Sequence, residues 1–274
     1  MNKRKATVLV CGVAVLDFVF QLGELPRKAE KYRARSAAIV GGGVAANGAV
    51  GIVRLGGKAK LAARLGSDVI GDLIVKGLKA EGVDCNLVRR FEGRQSSYSS
   101  VFLDEAGERQ IVNYRDMNIS FDAGWLEDYS LGSLGSLGAI DAVFADTRWP
   151  DGAVAAMRIA RALGVPGVID VEAALAALDI GDAWACVTDG ENGVWWRGPD
   201  GTGHVPAFKV DVVDTLGAGD LWHGAFALRL GEGADEIEAV RFANAAAAIK
   251  CTRPGGRDGS PSREETMNFM KETR

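Results

Sequence analysis

Cysteine and histidine are scarce in this sequence. Its 274 residues include four cysteines and two histidines. The cysteines, Cys11, Cys85, Cys186 and Cys251, lie far apart and form no C-x-x-C pair. This spacing argues against a disulfide framework or a zinc site and is typical of reduced thiols in the cytosol. We therefore expect a cytoplasmic protein.

An excess of positive charge is also lacking, since 36 acidic and 32 basic residues give a formal net charge of -4. This balance argues against a broad surface for nucleic acid or anionic membrane. The apolar run from Ala6 to Leu16 could pass for a signal peptide, but Asp17 follows it directly and no A-x-A-like cleavage site precedes Tyr32. A buried first strand over 7–15 explains the run better. No other apolar stretch is long enough to cross a membrane.

Two familiar phosphate-binding motifs are absent at their nearest matches. Near Lys58, a Walker loop would need a glycine where Ile52 stands and a hydroxyl where Ala59 stands. The glycines of 217–219 lack the third glycine of a dinucleotide fingerprint, because position 222 is Trp222. These departures argue against a P-loop enzyme and against a dinucleotide-dependent oxidoreductase.

Strand and helix patterns alternate along most of the chain, which predicts a mostly parallel sheet covered by helices on both faces. Two polar β segments, over 18–39 and 97–115, interrupt this alternation, and we expect them to pair as a small separate sheet. Lys31, Arg33 and Arg35 alternate within the first segment, so they are predicted to share one face of a strand.

The strongest signal is the segment from Asp214 to Asp220, D-T-L-G-A-G-D, which precedes an apolar helix. Asp214 or Thr215 can cap this helix, and the two glycines leave its end free of side chains. Unpaired amides at the positive end of a helix form a hole for an anion. The amides predicted to form this hole are those of Gly217, Ala218 and Gly219.

Asp220 lies in the first turn of that helix, where an aspartate often only complements the helix dipole. The two glycines beside it favour a functional interpretation. Phosphoryl transfer depends more on positioning and charge stabilisation than on base strength. A carboxylate with a pKa lowered by the helix end can still accept the proton of an attacking hydroxyl late in the transfer. The two histidines, His204 and His223, are interpreted as structural.

The sequence resembles the ribokinase-like carbohydrate kinases of the PfkB family. Asp214 to Asp220 matches the family's C-terminal signature, and Gly42-Gly43-x-x-x-Asn47-x-Ala49, leading to Arg54-Leu55-Gly56, matches its N-terminal signature. The resemblance implies a three-layer α/β sandwich with a small β-sheet lid. The α/β domain would comprise 1–17, 40–96 and 116–274, and the lid 18–39 and 97–115.

By this resemblance, Asp220 is the catalytic base beside the anion hole. The residues implied to bind the sugar are Asp17, Gly42, Gly43 and Asn47. The residues implied to bind the nucleotide are Thr188, Gly190, Gly193 and Asn244. The resemblance further implies ATP and Mg²⁺, allows a monovalent cation such as K⁺, and suggests a homodimer formed through the lid.

Within the family, several segments are most similar to the sulfofructose kinase branch. These segments include Ala145 to Trp149 and the C-terminal stretch from Lys250 to Arg257. In that branch a lysine, an asparagine and an arginine bind the sulfonate, and Lys31, Asn113 and Arg148 match those positions. The expected substrate is therefore an anionic sugar such as 6-deoxy-6-sulfofructose. The alternatives are 2-keto-3-deoxygluconate, fructose, ribose and a sugar phosphate.

One feature departs from the family pattern. The link between Val171 and Ala183 is short, whereas the family normally has another helix and strand here with an N-x-x-E element that organises magnesium. Deletion of a central strand would leave a gap in the sheet, which favours residues absent from this sequence over a true deletion. No magnesium ligand is assigned, and Asp170 and Glu172 are candidates only. A non-catalytic sugar- or nucleotide-sensing relative is the alternative of another class.

Overall fold

The computed structural model describes residues 4–106, 108–126, 138–171 and 183–273. Its strands are β1 (Thr7–Cys11), β2 (Val15–Gln21), β3 (Ser36–Gly42), β4 (Lys58–Gly66), β5 (Asp84–Phe91), β6 (Tyr98–Leu103), β7 (Arg109–Tyr114), β8 (Ala142–Asp146), β9 (Gly167–Asp170), β10 (Ala185–Thr188), β11 (Val194–Gly198) and β12 (Gly201–Val205). Its longer helices are α1 (Val44–Arg54), α2 (Val69–Ala80), α3 (Pro150–Leu163), α4 (Ala218–Gly231), α5 (Glu236–Cys251) and α6 (Arg263–Glu272).

The central sheet is parallel and has the strand order β5-β4-β1-β8-β9. Every residue of β1 is buried. Val8 and Val10 pack in a core with residues of α1, α4 and α5, whereas Leu9 and Cys11 pack in a second core with residues of α3. The sheet is therefore a middle layer between helices, because a strand buried on both faces needs apolar cover on both sides. The predicted fold class is confirmed.

A second sheet of four strands has the order β3-β2-β6-β7. β2 pairs antiparallel with β3 and parallel with β6, and β6 pairs antiparallel with β7. The two polar β segments therefore do pair in one sheet. The strands reach further than the segments predicted from sequence, since β2 begins at Val15 and β3 ends at Gly42. The division into domain and lid stays a prediction.

Two local predictions about strands are wrong. The first apolar run does not form one strand over 7–15, because the chain leaves the central sheet after Cys11 and enters the second sheet at Val15. The carboxylate of Asp146 accepts the Val13 amide at 2.8 Å within this crossing. Lys31, Arg33 and Arg35 also share no strand face, because β3 begins only at Ser36.

Asp68 caps the helix α2, and its carboxylate accepts the Gly71 amide at 2.8 Å. The same carboxylate accepts the Ser96 amide at 2.9 Å and the Ser96 hydroxyl at 2.6 Å. A carboxylate can accept several bonds at once, so Asp68 also anchors the segment that leads into β6.

The remaining strands form a separate antiparallel sheet with the order β10-β11-β12. Within the described residues, β10 has no partner strand in the central sheet. The short link that departs from the family pattern falls mostly on 172–182, which lie outside the described residues. Among the residues that the structure describes, no helix is both long and apolar enough to cross a membrane.

Glycines bring the helices α1 and α4 into backbone contact. A Cβ atom added at Gly224 would lie 2.5 Å from the carbonyl oxygen of Gly48, and one added at Gly48 would lie 2.6 Å from the Phe144 ring. A Cβ atom at Gly51 would meet the Leu221 side chain at 2.5 Å. These positions have no room for a side chain, so the axes of the two helices come unusually close.

We predict that Gly224→Ala destabilises the fold by about 1–3 kcal/mol, because its methyl group would collide with rigid backbone. Urea unfolding followed by circular dichroism measures this change. Gly219→Ala, in the same helix but with open space at the Cβ position, is the matched control and should not destabilise the fold. Equal stability of the wild type and the Gly224→Ala variant would contradict the close packing.

Candidate active site

The candidate site lies where the carboxyl ends of β8 and β9 approach the amino ends of α1 and α4. Asp146 is the last residue of β8, and Asp170 is the last residue of β9. In parallel α/β sheets, ligands bind at this edge because loops and helix N-termini converge there. Asp146 is 1% exposed, and its carboxylate accepts the amides of Val13, Ala45 and Arg148 at 2.8, 3.1 and 2.9 Å.

The loop before α4 differs from its predicted geometry at the cap. Neither Asp214 nor Thr215 caps the helix, whose N-cap residue is Gly217 with a φ of 75°. The Asp214 carboxylate instead accepts the amides of Leu216 and Gly256 at 2.8 and 3.1 Å. Burial acts to raise the pKa of Asp214, but these bonds and the charge of a neighbouring lysine outweigh burial and lower the pKa.

The predicted anion hole has fewer available amides than the three expected from the sequence. The Ala218 N–H donates to the Thr215 carbonyl at 3.1 Å, so it is already used. Within the described residues, the N–H groups of Gly217 and Gly219 donate no hydrogen bond to the protein. A Cβ atom at Gly219 would meet open space, so none of the described residues covers this point at the end of the helix. Two amides at a helix N-terminus therefore remain for an anion.

Asp220 lies beside this hole and is half-buried. The Asn47 side chain, on α1, donates from Nδ2 to Oδ2 of Asp220 at 2.7 Å. Burial raises the pKa of Asp220, although the Asn47 bond and His223 act to lower it and Asp170 adds to the rise. The prediction of a lowered pKa is wrong, because loss of water outweighs the helix end. A raised pKa makes this carboxylate a stronger base.

Asn47 has one polar atom without a partner. The residue is 7% exposed, and its Oδ1 atom is buried and has no hydrogen-bond partner in the described part of the chain. A buried acceptor without a donor is costly, so the site fits a ligand that brings a hydroxyl or amine donor. The atom lies on the amide that also orients Asp220, which places such a donor beside the candidate base.

Asp17, Ser99 and Asn113 stand side by side across β2, β6 and β7. Ser99 hydrogen-bonds to Asp17 and accepts from the Asn113 side chain at 3.1 Å. Burial raises the pKa of Asp17, while the Ser99 bond and the charge of Arg257 act to lower it. Because directly opposite residues point to the same face of a sheet, two predicted sugar-binding residues share one polar row.

Two glycines make room for neighbouring groups. The absence of a side chain at Gly42 leaves space for the Asp17 carboxylate, and its absence at Gly43 leaves space for the loop between β1 and β2. A Cβ atom at Gly42 would lie 2.2 Å from Oδ2 of Asp17. Gly43 has a φ of 95°, and a Cβ atom there would lie 2.5 Å from the Val13 carbonyl oxygen. These two predicted sugar-binding positions therefore adjoin Asp17 and the start of α1.

The predicted cations of the sugar pocket lie in different surroundings. Lys31 is exposed in the loop between β2 and β3. Arg148 is exposed just beyond β8 and lines a small cavity together with two further arginines, Arg64 and Arg115. No sequence motif marks Arg64, although it lies near the carboxyl end of a buried strand, where ligand-binding residues are expected.

The guanidinium group of Arg64 lies close to two aromatic rings. Its guanidinium carbon lies 4.4 Å from the centre of the Phe121 ring and 4.9 Å from that of Trp149. It also donates to the Ser120 carbonyl at 2.8 Å. Burial, followed by the charge of Arg115, lowers the pKa of Arg64 to about 10. Like charges that lie close together favour an anion between them.

The predicted nucleotide-binding residues lie around β10 and α5. Thr188 ends β10, and Gly190 and Gly193 belong to the turn that follows, with positive φ values of 49° and 97°. Asn244 is 7% exposed. Its Nδ2 donates to the Pro206 carbonyl at 3.1 Å, and its Oδ1 accepts from the Trp222 indole at 2.7 Å. Asn244 therefore braces α4 and α5, and its contact with a nucleotide stays a prediction.

The candidate metal ligands are only partly described. Glu172 lies outside the described residues. Asp170 lies near His223, with 3.7 Å between its Oδ1 and the imidazole Nε2, and His223 Nδ1 lies 2.9 Å from the Gly219 carbonyl oxygen. In the described part of the chain, no three or more His, Cys, Asp or Glu side chains group to hold a metal. Mg²⁺ commonly uses one or two carboxylates with substrate phosphates, so Asp170 alone still fits such an ion.

Comparison with known proteins shows which family the chain resembles in sequence. The pfkB family carbohydrate kinase profile matches residues 5–171 and 158–263. Ribokinase of Bacillus subtilis (strain 168) is 27% identical over 294 residues, covering 96% of this chain and 99% of that protein.

Two solved structures share the fold over nearly the whole chain. A putative ribokinase from Agrobacterium tumefaciens has a TM-score of 0.88 and 32% identity, covering 98% of each chain. Ribokinase of Arabidopsis thaliana complexed with ribose and ATP has a TM-score of 0.80 and 22% identity, covering 98% of this chain and 99% of that one. The profile match and the 32% identical structure carry the same conclusion as the site: the chain belongs to the pfkB family of carbohydrate kinases.

Proposed function

We propose that this protein is an ATP-dependent kinase of an anionic sugar, with Asp220 as the catalytic base. The observation that carries the proposal is the placement of a half-buried carboxylate, Asp220, beside two amides at one helix N-terminus that have no partner among the described residues. ATP is the donor expected from the family resemblance and is named with the related Arabidopsis ribokinase. The Gly217 and Gly219 amides fit the charge that develops on a transferring phosphoryl group.

The reaction then divides between three groups of this chain. The Asn47 amide and the Asp17 carboxylate hold sugar hydroxyls, and Asn113, in the same polar row as Asp17, binds the acidic group of the sugar. The attacking hydroxyl lies against Asp220 and gives its proton to this carboxylate as its oxygen bonds to the γ-phosphorus. The bond from that phosphorus to the bridging oxygen breaks, and ADP leaves with the electron pair. Gly217 and Gly219 stabilise the negative charge during the transfer.

The arginine cavity favours a sugar that carries an acidic group. Arg64, Arg115 and Arg148 line it beside Val13, whose carbonyl oxygen approaches Gly43. Guanidinium groups bind sulfonate, carboxylate and phosphate oxygens through paired N–H donors. We rank 6-deoxy-6-sulfofructose first, and 2-keto-3-deoxygluconate or a sugar phosphate next. Lys31, in the exposed loop, would add its charge if the second sheet closes over the sugar.

Three further assignments complete the proposal. Mg²⁺ would take a carboxylate oxygen of Asp170 and neutralise charge on the ATP phosphates. Thr188, Gly190 and Gly193 would form the turn that lines the nucleotide. A second copy of the chain would pack against the second sheet, where Ile39 and Val112 stand in one row and are each 61% exposed.

We predict that Asp220→Asn lowers kcat by about a hundredfold or more, the scale of a lost general base, with little change in ATP binding. Initial rates with an acidic sugar and calorimetric titration of ATP measure the two effects. Because a buried carboxylate with a raised pKa destabilises the fold when ionised, the variant should melt no lower than the wild type at neutral pH. Turnover close to wild type would remove Asp220 from the base role.

We predict an acidic limb in the pH profile of kcat/KM that lies above the ordinary aspartate pKa of about 3.9. Asp220 must be ionised to accept a proton, so activity is lost as pH falls through its raised pKa. Asn47→Ala removes a bond that lowers this pKa, so the limb should move to higher pH. Asn86→Ala, at an exposed position, is the control. An unmoved limb in the Asn47 variant would contradict the assignment of the limb to Asp220.

We predict that Arg148→Ala lowers kcat/KM for the acidic sugar, with a rise of about 2 kcal/mol or more in the activation free energy. The loss of kcat/KM for fructose or ribose should be much smaller. A steady-state comparison of acidic and neutral sugars measures this difference. Arg241→Ala, an exposed arginine of α5, is the matched control. Equal losses for both kinds of sugar, with fructose or ribose phosphorylated as well as any acidic sugar, would leave only the kinase assignment.

A further inference from the structure

Lys250 is a completely buried lysine near the end of α5. Its exposed fraction is 0%. Its ammonium group donates to the Asp214 carbonyl oxygen at 2.7 Å and lies 3.2 Å from Oδ2 of the same residue. Lysine is almost never fully buried unless its charge is paired, because loss of water around an ammonium is costly. An apolar side chain of similar length could pack there without that cost.

The ammonium stabilises the loop that precedes the anion hole. Besides Lys250, the Asp214 carboxylate binds the amides of Leu216 and Gly256. The carbonyl of Cys251, next to Lys250, accepts the amides of Val213 and Asp214 at 2.7 and 3.1 Å. Hydrogen bonds therefore fix the backbone at Asp214 to the end of α5. Asp214 is three residues before Gly217, the N-cap residue of α4.

The ligands of the ammonium are a carbonyl oxygen and a carboxylate oxygen. These are the oxygen donors that a monovalent metal ion would use in a protein. An ammonium group and a potassium ion carry the same charge, and the buried ammonium already occupies this position. A second cation beside it would be repelled in a site with little water to screen the charges.

We propose that Lys250 is a built-in monovalent cation, a positioning residue that holds the 214–219 loop in its anion-binding shape without potassium. The inference rests on the proposed kinase function and deepens it. The ammonium group of Lys250 would take the place of the K⁺ ion that the family resemblance allows, so the enzyme would not depend on K⁺. The ammonium group of Lys250 contacts Asp214, so Lys250 acts on the loop through that residue.

The first experiment uses the wild-type protein alone. Initial rates are compared in KCl, NaCl and choline chloride at equal ionic strength. We expect equal kcat values in the three salts. Activation of several-fold by K⁺ over both Na⁺ and choline would overturn the proposal, whatever any variant does.

The second experiment uses Lys250→Ala, which removes the charge and leaves a space. We expect kcat to fall at least tenfold, with the sugar KM changed less, and to recover in a saturable manner when NH₄⁺ or K⁺ is added. Lys250→Met fills the space with an uncharged chain, so its loss of kcat should not recover. Lys271→Ala, at an exposed position of α6, should behave as wild type in every salt. A folded Lys250→Ala variant with unchanged kcat would overturn the positioning role.

A binding measurement separates this inference from the kinase proposal. The melting temperature of Lys250→Ala should rise in NH₄Cl or KCl relative to choline chloride, whereas that of Lys250→Met should not. This readout needs no substrate. If no sugar is phosphorylated but the melting temperature still responds, the kinase proposal fails and the cation site stands. If turnover is normal but no cation alters either variant, the cation site is wrong.

Discussion

The hydrogen bond between Asn47 and Asp220 depends on a contact with no side chains in it. These residues lie on different helices, and the backbones of α1 and α4 meet at Gly48 and Gly224, where a single methyl group would force them apart. That contact sets the distance at which the Asn47 amide reaches the carboxylate, 2.7 Å. The position of the base therefore follows from close packing in the core, before any ligand is bound.

Burial raises the basicity of the candidate base in this site and also lowers the stability of the fold. The carboxylate of Asp220 has little water around it, which raises its pKa and makes it a better proton acceptor. The same loss of water leaves Oδ1 of Asn47 without a partner. Both features destabilise the protein without substrate, and under the proposed function the substrate hydroxyl would relieve them. A site that stores such unsatisfied groups is suited to substrate binding rather than to stability.

Charge is arranged differently at the two ends of the candidate site. Around Asp214, the buried ammonium of Lys250 and two backbone amides compensate the carboxylate, so the loop before the anion hole is internally neutral. Around Arg64, Arg115 and Arg148, the cations meet one another across a small cavity lined by aromatic rings. The first arrangement pairs opposite charges and fixes the shape of a loop, whereas the second gathers three like charges around a cavity.

Local sequence was enough to predict the alternating α/β fold, the pairing of the two polar β segments and the glycine-flanked Asp220, because each follows from periodicity or from a short motif. It could not predict the raised pKa of Asp220, since burial depends on what other segments pack around it. Lys250 looked like one polar residue in an alanine-rich helix, and Arg64 like the end of a buried strand. Their roles depend on partners at 214 and 115, far away in sequence. Such contacts form only when the chain folds, so the tertiary structure alone decides which charged groups lie together and which of them are buried.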